Sequence, residues 1–189
     1  MLSFFDYENY TKIDFTNTKI KKGEYDNCIF LNCNFEGIHA SNIQFVECEF
    51  IGCNFNNTIV GNTAFKGVSF VDCKMIGVKF NECDSFLLQF SFKDCQLNFS
   101  SFYQLNIPNT KFISTNLEEV DFTECNLIGS DFSNSNLHNI IFENTIVEKA
   151  DFRTAKNFTF SLEQNKVKGA QFSKENLEGL LSKYKIVID

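Results

Sequence analysis

The sequence is poor in residues that divide a chain into separate units. Its 189 residues include a single proline, Pro108, and no stretch rich in serine and glycine that could serve as a linker. No apolar run is long enough to cross a membrane, and the first residues lack the basic segment and long apolar core of a signal peptide. We therefore expect one continuous body that lies in the cytoplasm and makes no membrane contact.

The motifs of common enzymes and metal sites are also missing. There is no glycine-rich phosphate loop, no nucleophile elbow and no Cys-x-x-Cys pair. The two histidines, His39 and His138, lie far apart in the sequence, whereas zinc sites favour closely paired ligands. These absences predict a protein that is not an enzyme and that uses no cofactor or metal ion.

Large apolar residues recur at every fifth position, a spacing that matches neither a helix nor a strand. One run extends from Tyr10 to Phe90, and a second, displaced by two residues, extends from Phe92 to Leu177. The centres of these units that are not large apolar residues are Ala40, Ser85 and Asn157. A fixed period of this kind is the signature of a repeat protein.

A smaller side chain lies two positions before each of these centres. All eight cysteines fall in this slot, together with threonine, serine, valine and alanine residues. Charged residues avoid both slots between Tyr10 and Phe172, as expected for inward positions, because a buried unpaired charge is very costly. Two inward side chains in five cannot form a core alone, so successive coils have to stack. The cysteines are therefore expected to be packed free thiols.

This pattern resembles that of the pentapeptide-repeat family, whose unit has a large central apolar residue preceded two positions earlier by a small one. Good matches are Cys33-Asn34-Phe35, Ser130-Asp131-Phe132 and Ala150-Asp151-Phe152. The resemblance implies an all-β fold, a right-handed quadrilateral parallel β-helix with about twenty residues per coil. The coils would lie about 4.8 Å apart, the spacing of hydrogen-bonded strands.

On such a coil, residues about twenty apart lie above one another. One predicted interior ladder consists of Phe30, Phe50, Phe70 and Phe90. Another consists of Phe92, Phe112, Phe132, Phe152 and Phe172. Between the two registers, residues 84–92 have to absorb two extra residues as a bulge or small outward loop. This register break is either a tolerated irregularity or an element that touches a partner.

The ends of the repeat depart from its pattern. Residues 1–10 are expected to cap the first coil, so that the repeat domain, with this cap, spans residues 1–172. Asn157 and Asn165 interrupt the inward slots near the other end. We expect their amides to bond exposed backbone groups in a distorted last coil.

Residues 173–189 are expected to form a short helix followed by a strand. Leucines at helical spacing follow Ser173, a suitable N-cap, which predicts an amphipathic helix. Residues 184–188 are predicted to form the strand. We expect this segment to cover the last coil and also to form a homodimer. The residues predicted to form the dimer contact are Leu177, Leu180, Leu181, Tyr184, Ile186, Val187 and Ile188.

Charge is segregated along the chain, which has a net charge of −7. Lysine and arginine are absent between Gly23 and Phe65 and again between Phe112 and Glu148. Acidic stretches of this length repel nucleic acid and attract basic protein surfaces, so direct DNA binding is not expected. The predicted partner-binding surface consists of Glu118, Glu119, Asp121, Glu124, Asp131, Glu143 and Glu148. The acids predicted to share one face are Asp121, Glu124, Glu143 and Glu163.

The end of the chain looks like that of the Qnr quinolone-resistance proteins and their relatives. That resemblance implies a non-enzymatic DNA mimic that binds DNA gyrase or topoisomerase IV and protects it from poisons such as fluoroquinolones. The chain lacks the long projecting loops of several members of that group. The alternative is a structural or interaction solenoid that binds an unrelated protein. An ordinary acidic surface that keeps the rod soluble would also explain the charges.

Overall fold

The structure, a computed structural model, describes residues 3–187. The backbone forms the predicted right-handed quadrilateral parallel β-helix, with short strands and isolated bridges on four flat faces. The strands are β1 (Ser3–Asp6), β2 (Asn9–Thr11), β3 (Gly23–Asp26), β4 (Ile29–Leu31), β5 (Gln44–Val46), β6 (Glu49–Ile51), β7 (Ala64–Lys66), β8 (Val68–Val71), β9 (Phe90–Lys93) and β10 (Lys111–Ile113).

We name the faces A to D in the order in which the chain visits them, so that face D lies opposite face B. Face A contains the sheet β1-β3-β5-β7, and face B contains the sheet β2-β4-β6-β8-β9-β10. Faces C and D are held by single bridges, such as Asn34 to Asn54 on face C and Ser101 to Asp121 on face D. The pairing is parallel on every face, so equivalent residues of successive coils lie above one another.

A column of aromatic rings fills the interior behind face B. Successive centroids lie 4.6 to 5.3 Å apart, and successive ring planes lie 5 to 14° from parallel. Rings from adjoining faces meet edge-on, as Phe112 and Phe122 do at 5.5 Å and 79°, a geometry that the ring quadrupole favours. The residues of the column are Tyr10, Phe30, Phe50, Phe70, Phe92, Phe112, Phe132, Phe152 and Phe172.

The prediction of two separate ladders was wrong, because the column is continuous. Phe70 stacks on Phe92 at 5.3 Å, whereas Phe90 pairs with Val68 in the register of the strands. Phe90 therefore occupies the small slot of its coil instead of a ladder position. Its buried ring supplies the apolar bulk that Ser85, an exposed residue at an expected centre, does not provide.

Residues 84–89 form the small outward turn that the two extra residues predict. Phe86 and Leu87 lie at its tip, and each is 66% exposed. The Asp84 carboxylate accepts the Phe86 N–H at 3.0 Å, and Leu87 adopts a left-handed φ of 56°. The insertion is confined to one corner between faces A and B, so the ladder of face B continues without a gap from β8 to β9.

Most corners turn on a residue two positions after the centre, where φ is positive. Asparagine and glycine hold many of these positions, as at Asn32 and Gly52, because they tolerate the left-handed region. A Cβ atom on Gly52 would overlap the Asn32 side chain of the coil below. Phe99 is a bulky exception, with a φ of 62° and a side chain that is 57% exposed.

Polar atoms in the small slot bond to the backbone of the preceding coil. The Thr58 hydroxyl donates to the Phe35 carbonyl at 2.6 Å, and the Cys53 thiol donates to the Phe30 carbonyl at 3.2 Å. All eight cysteines are buried and free, as predicted. Burial raises the pKa of Cys48 to about 12, so this thiol stays protonated at neutral pH.

The first described residues continue the repeat. Strand β1 pairs with β3, and β2 pairs with β4, both in parallel register. Phe5 and Tyr10 pack against the core as further inward residues. The cap predicted over residues 1–10 thus takes the form of repeat strands, and Met1 and Leu2 lie outside the described residues.

The last coil departs from the repeat between residues 157 and 165. Leu162, which the pattern places inward, is 37% exposed, because Phe160 is buried two residues earlier in its place. Buried Asn165 donates to a carbonyl of the preceding coil at 3.0 Å and accepts one of its N–H groups at 2.8 Å, as predicted. Asn157 instead is exposed and donates to the side chain of Asn136.

The predicted short C-terminal helix is present. Ser173 is the N-cap residue of the 3-10 turn Lys174–Asn176, which leads into the helix α1 (Glu178–Leu181). The strand predicted at 184–188 was wrong for the described residues. A second 3-10 turn, Ser182–Tyr184, continues the helical path, and Lys185 then turns with a left-handed φ of 50°. Ile188 lies outside the described residues.

Ser130 and Ser135 are both buried in the small slot. They test whether hydrogen bonds from this slot to the preceding coil stabilise the fold. The Ser135 hydroxyl donates to a carbonyl at 2.6 Å and accepts the Thr115 N–H at 2.9 Å. The Ser130 hydroxyl has no partner among the described residues, because Thr110 already donates to the corresponding carbonyl. Ser135→Ala should lower the free energy of unfolding by about 2 kcal/mol, since a buried N–H loses its acceptor.

Ser130→Ala is the matched control, because it removes a hydroxyl that makes no bond. We expect it to be neutral or slightly stabilising. Urea unfolding of both variants beside the wild-type protein measures the difference, and equal losses of stability would contradict the pattern.

Candidate functional site

Four carboxylates lie on a single coil, on face D and at its two edges. Asp121 lies in the middle of face D, where it bridges Ser101. Glu118 and Glu119 lie at the corner between faces C and D, and Glu124 lies at the corner between faces D and A. The positive φ values of Glu119 (55°) and Glu124 (58°) mark both as corner residues.

A fifth carboxylate, Glu143, lies on the next coil. The Glu124 N–H donates to the Glu143 carbonyl at 2.8 Å, so the two residues occupy one corner on adjacent coils. We call these residues the acidic surface. Its members are Glu118, Glu119, Asp121, Glu124 and Glu143.

The structure does not bring the other two predicted residues to this surface. Asp131 lies on face B, the opposite side of the rod, where it bridges Lys111 and Asp151. Glu148 lies at the corner between faces A and B, next to Gly129, whose N–H donates to the Glu148 carbonyl at 2.8 Å. The twenty-residue coil predicted from the sequence had left both residues out of the group of acids that share one face with Asp121.

The acidic surface carries little compensating charge. Glu118 lies 3.1 Å from His138 Nδ1 and accepts the Asn98 amide at 3.3 Å, and Glu124 accepts the Gln104 amide at 2.7 Å. Within residues 3–187, no lysine or arginine forms an ion pair with these five carboxylates. Their negative potentials therefore add.

The exposed lysines of face D lie toward its other end. Lys19, Lys21 and Lys22 belong to the first coil, and Lys79 lies near the middle of the rod. These lysines of face D thus lie outside the two coils that hold the acidic surface.

Glu163 connects the irregular last coil to the C-terminal segment. Its carboxylate forms an ion pair with Lys183 and accepts the Tyr184 hydroxyl at 2.5 Å. The α1 residue Leu180 is buried against the coil. Gly179 permits this approach, because a Cβ atom there would overlap the Phe158 carbonyl.

The predicted dimer residues fall into two groups. Leu180 packs on the coil and Leu181 is partly buried, so both help to hold the segment in place. The exposed members among the described residues are Leu177 (41%), Tyr184 (54%), Ile186 (56%) and Val187 (87%).

Two further classes of site are absent from the described part of the chain. None of its helices has the length and apolar character needed to cross a bilayer. In residues 3–187, no three histidine, cysteine or acidic side chains come together in an arrangement that could hold a metal ion.

Comparison with known proteins agrees with this architecture. The family described as "Pentapeptide repeat region" matches residues 24–86 and 78–152. A trypsin-treated variant of QnrB1, a plasmid-mediated fluoroquinolone resistance protein, has a TM-score of 0.65 at 13% identity, covering 99% of this chain and 100% of its own. A second trypsin-treated QnrB1 variant has a TM-score of 0.66 at 13% identity, covering 98% and 99%. No curated protein sequence matches the chain. At this identity the likeness concerns the fold.

The pKa of Glu163 tests the C-terminal anchor. The hydrogen bond from Lys183, followed by that from Tyr184, lowers the pKa of Glu163 from 4.5 to about 2. A lowered folded-state pKa means that the ionised carboxylate stabilises the anchor fully above pH 4.5 and that this stabilisation is lost as the pH falls toward 2. A carboxyl-carbon NMR titration should give a pKa of about 2 for Glu163.

Lys183→Met should raise the measured pKa of Glu163 toward 4.5, because it removes the largest stabilising contact of the carboxylate. Lys185→Met removes a nearby lysine that makes no contact with Glu163 in the described residues, so it should leave that pKa unchanged. A pKa near 4.5 in the wild-type protein would contradict the anchor contact.

Proposed function

The chain belongs to the pentapeptide-repeat family, and on that premise we propose that it is a non-enzymatic, cytoplasmic binding protein that acts as a DNA mimic. Its proposed partner is a type II topoisomerase, DNA gyrase or topoisomerase IV, which it protects from poisons such as fluoroquinolones. It contacts the basic DNA-binding surface of that enzyme through its acidic surface and does not bind nucleic acid itself.

The clustering of carboxylates on face D is the observation that carries this proposal. Five carboxylates lie on two adjacent coils, which together occupy about 10 Å of rod, or one charge per about 2 Å. Duplex DNA carries one charge per about 1.7 Å of its axis. A protein surface shaped to neutralise phosphates would therefore meet a similar density of negative charge here.

The structural likeness to QnrB1 supports the choice of partner only because the two proteins share a fold. QnrB1 is described as a fluoroquinolone resistance protein, and its fold covers nearly the whole of this chain. The turn at residues 84–89 is short, so the long projecting loops of several Qnr members have no counterpart at this register break. The proposed protection therefore rests on the acidic surface and not on loops.

A supercoiling assay with purified DNA gyrase and a fluoroquinolone tests the proposal. The wild-type protein should restore supercoiling in the presence of the drug and should bind gyrase directly. Changing Glu118, Glu119, Asp121 and Glu124 together to lysine should weaken binding by about tenfold or more, since several charge pairs of about 0.5 kcal/mol each become repulsive.

Reversal of the two distant acids, Asp131→Lys with Glu148→Lys, is the matched control. Both residues lie away from face D, so this variant should retain protection. The DNA-mimic proposal is rejected if the wild-type protein neither binds gyrase nor restores supercoiling at any concentration. Equal loss in the control variant would show that net charge, and not face D, governs binding.

The alternative is an interaction solenoid for an unrelated protein, and the turn at the register break favours it. Phe86 and Leu87 expose apolar surface that the repeat does not need, and Leu87 holds a left-handed conformation that is unusual for a leucine. Retention of a specific protein other than a topoisomerase, lost in Phe86→Ser with Leu87→Asn, would support this alternative.

We also propose that the C-terminal segment forms a homodimer. Ile186 and Val187 are exposed apolar residues beyond the anchored turn, and Leu177 exposes further apolar surface nearby in the chain. The wild-type protein should run as a dimer at micromolar concentration in size-exclusion chromatography with light scattering. Ile186→Asp with Val187→Asp should yield monomers, because apposed charges would replace apolar contacts.

Lys185→Glu is the control, because it changes the charge of the same segment and leaves Ile186 and Val187 in place. A monomeric wild-type protein would overturn the C-terminal dimer.

A further inference from the structure

The residues along the middle of face D form a chemically symmetric series. On five successive coils they are an apolar residue, a cation, a small hydroxyl, an anion and an apolar residue. Bridges Lys79–Ser101, Ser101–Asp121 and Asp121–Ile141 fix the order of the last four. The members of this series, which we call the midline, are Ile59, Lys79, Ser101, Asp121 and Ile141.

The ends of the midline expose apolar side chains. Ile59 is 39% exposed and Ile141 is 41% exposed, although both lie on a flat face with polar neighbours. A shallow depression of about 310 Å³ lies next to Ile59 and is lined also by Gly77, Lys79 and Glu82. Its volume exceeds that of one isoleucine side chain, and the described residues of this chain leave it unfilled.

The centre of the midline is flanked by aromatic residues on the same coil. Phe99 lies at the corner between faces C and D, and Tyr103, which is 38% exposed, lies beside Ser101 toward face A. Phe99 holds a left-handed φ of 62°, a conformation that costs free energy for a bulky residue and that the other corners mostly assign to asparagine or glycine. The fold itself does not require an exposed aromatic residue at this corner.

We infer that face D is a self-complementary surface on which a second copy of this chain docks in antiparallel orientation, about a two-fold axis that passes beside Ser101. Such an axis pairs each residue with the one equally far on the other side of Ser101. Ile59 then meets Ile141 of the second copy, and Lys79 meets Asp121. Ser101, Phe99 and Tyr103 each meet their own equivalents.

The opposite charges of Lys79 and Asp121 favour this occupant over a general apolar partner. Lys79 is exposed, and Asp121 makes no ion pair with a lysine or arginine within residues 3–187. Antiparallel docking pairs these two charges twice, once on each side of the axis, and it also brings Glu124 toward Glu82 at the shared edge of face D, which makes the contact weaker. Parallel docking would place Lys79 against Lys79 and Asp121 against Asp121, which like-charge repulsion disfavours. Ile141 of the second copy then lies over the depression beside Ile59.

The contact is narrow, because face D is only one strand segment wide. It is smaller than the roughly 800 Å² per partner of stable complexes, so the association is weak and depends on concentration. It covers Asp121 and therefore competes with any partner that binds the acidic surface. This lateral dimer is distinct from a contact through the C-terminal segment, and it does not rest on the choice of topoisomerase as a partner.

Cross-linking through Ser101→Cys in the full chain tests the docking. All eight native cysteines are buried, so the introduced thiol is the reactive one. Since the two-fold axis passes beside residue 101, oxidation with copper phenanthroline at micromolar protein should yield a disulfide-linked dimer. The matched control is Ser91→Cys, at the equivalent position on face B, which pairs with Ser69 and Lys111 in the same ladder. Its dimer should form about tenfold more slowly, because only face D provides a raised effective concentration.

Equal rates for the two thiols would overturn the proposal, since they would reflect random collision. A dimer joined only through the C-terminal segment would give that same result.

A charge exchange tests the pairing itself in the Ser101→Cys background. Lys79→Glu and Asp121→Lys should each slow cross-linking severalfold, because each single change creates like-charge pairs across the contact. The two changes together recreate opposite charges and should restore the original rate. Failure of the double variant to recover, with each single variant folded as judged by circular dichroism, would also overturn the proposal.

Discussion

The spacing of hydrogen-bonded strands is the constraint on which the whole molecule depends. Successive coils are about 4.8 Å apart because backbone groups bond from one coil to the next. The interior therefore receives side chains at a fixed interval, and aromatic rings stacked at 4.6 to 5.3 Å match that interval. The same bonding explains why a thiol or hydroxyl is tolerated in the small slot: a carbonyl of the preceding coil lies within its reach, as at Cys53 and Thr58.

The sequence allowed most of the fold to be predicted, since the five-residue period directly reports which side chains point inward. The sequence did not predict the path of the backbone where the five-residue period changes. Phe90 satisfies the count of five but lies in a small slot, because the backbone absorbs its two extra residues before that position and not after it. Leu162 was misplaced for a related reason: Phe160 reaches the interior first and leaves Leu162 outside.

The sequence placed Asp121, Glu124 and Glu143 on one face, but the seven acids of the predicted partner-binding surface were not sorted by face. Counting acids identifies Asp131 and Glu148 as readily as Asp121, although they lie on other sides of the rod. Position within the coil decides which carboxylates share a face. The midline of face D was missed for the same reason, since Ile59 and Ile141 are separated by four coils and nothing in the linear sequence relates them. The role of Gly179 could not be predicted from the sequence for a different reason. It depends on the close approach of the helix to Phe158, which only the structure shows.

The outward turn at residues 84–89 has a consequence for how the rod responds to stress. In a solenoid each coil is stabilised only by its neighbours, so cooperativity is transmitted step by step along the axis. Faces B, C and D bridge this step, whereas on face A no bridge joins Asp84 to the next coil within the described residues. This step along the rod is therefore bridged on three faces instead of four. We expect the coil-to-coil contact at this corner to open more readily than the ladder of face B, which continues through the same step.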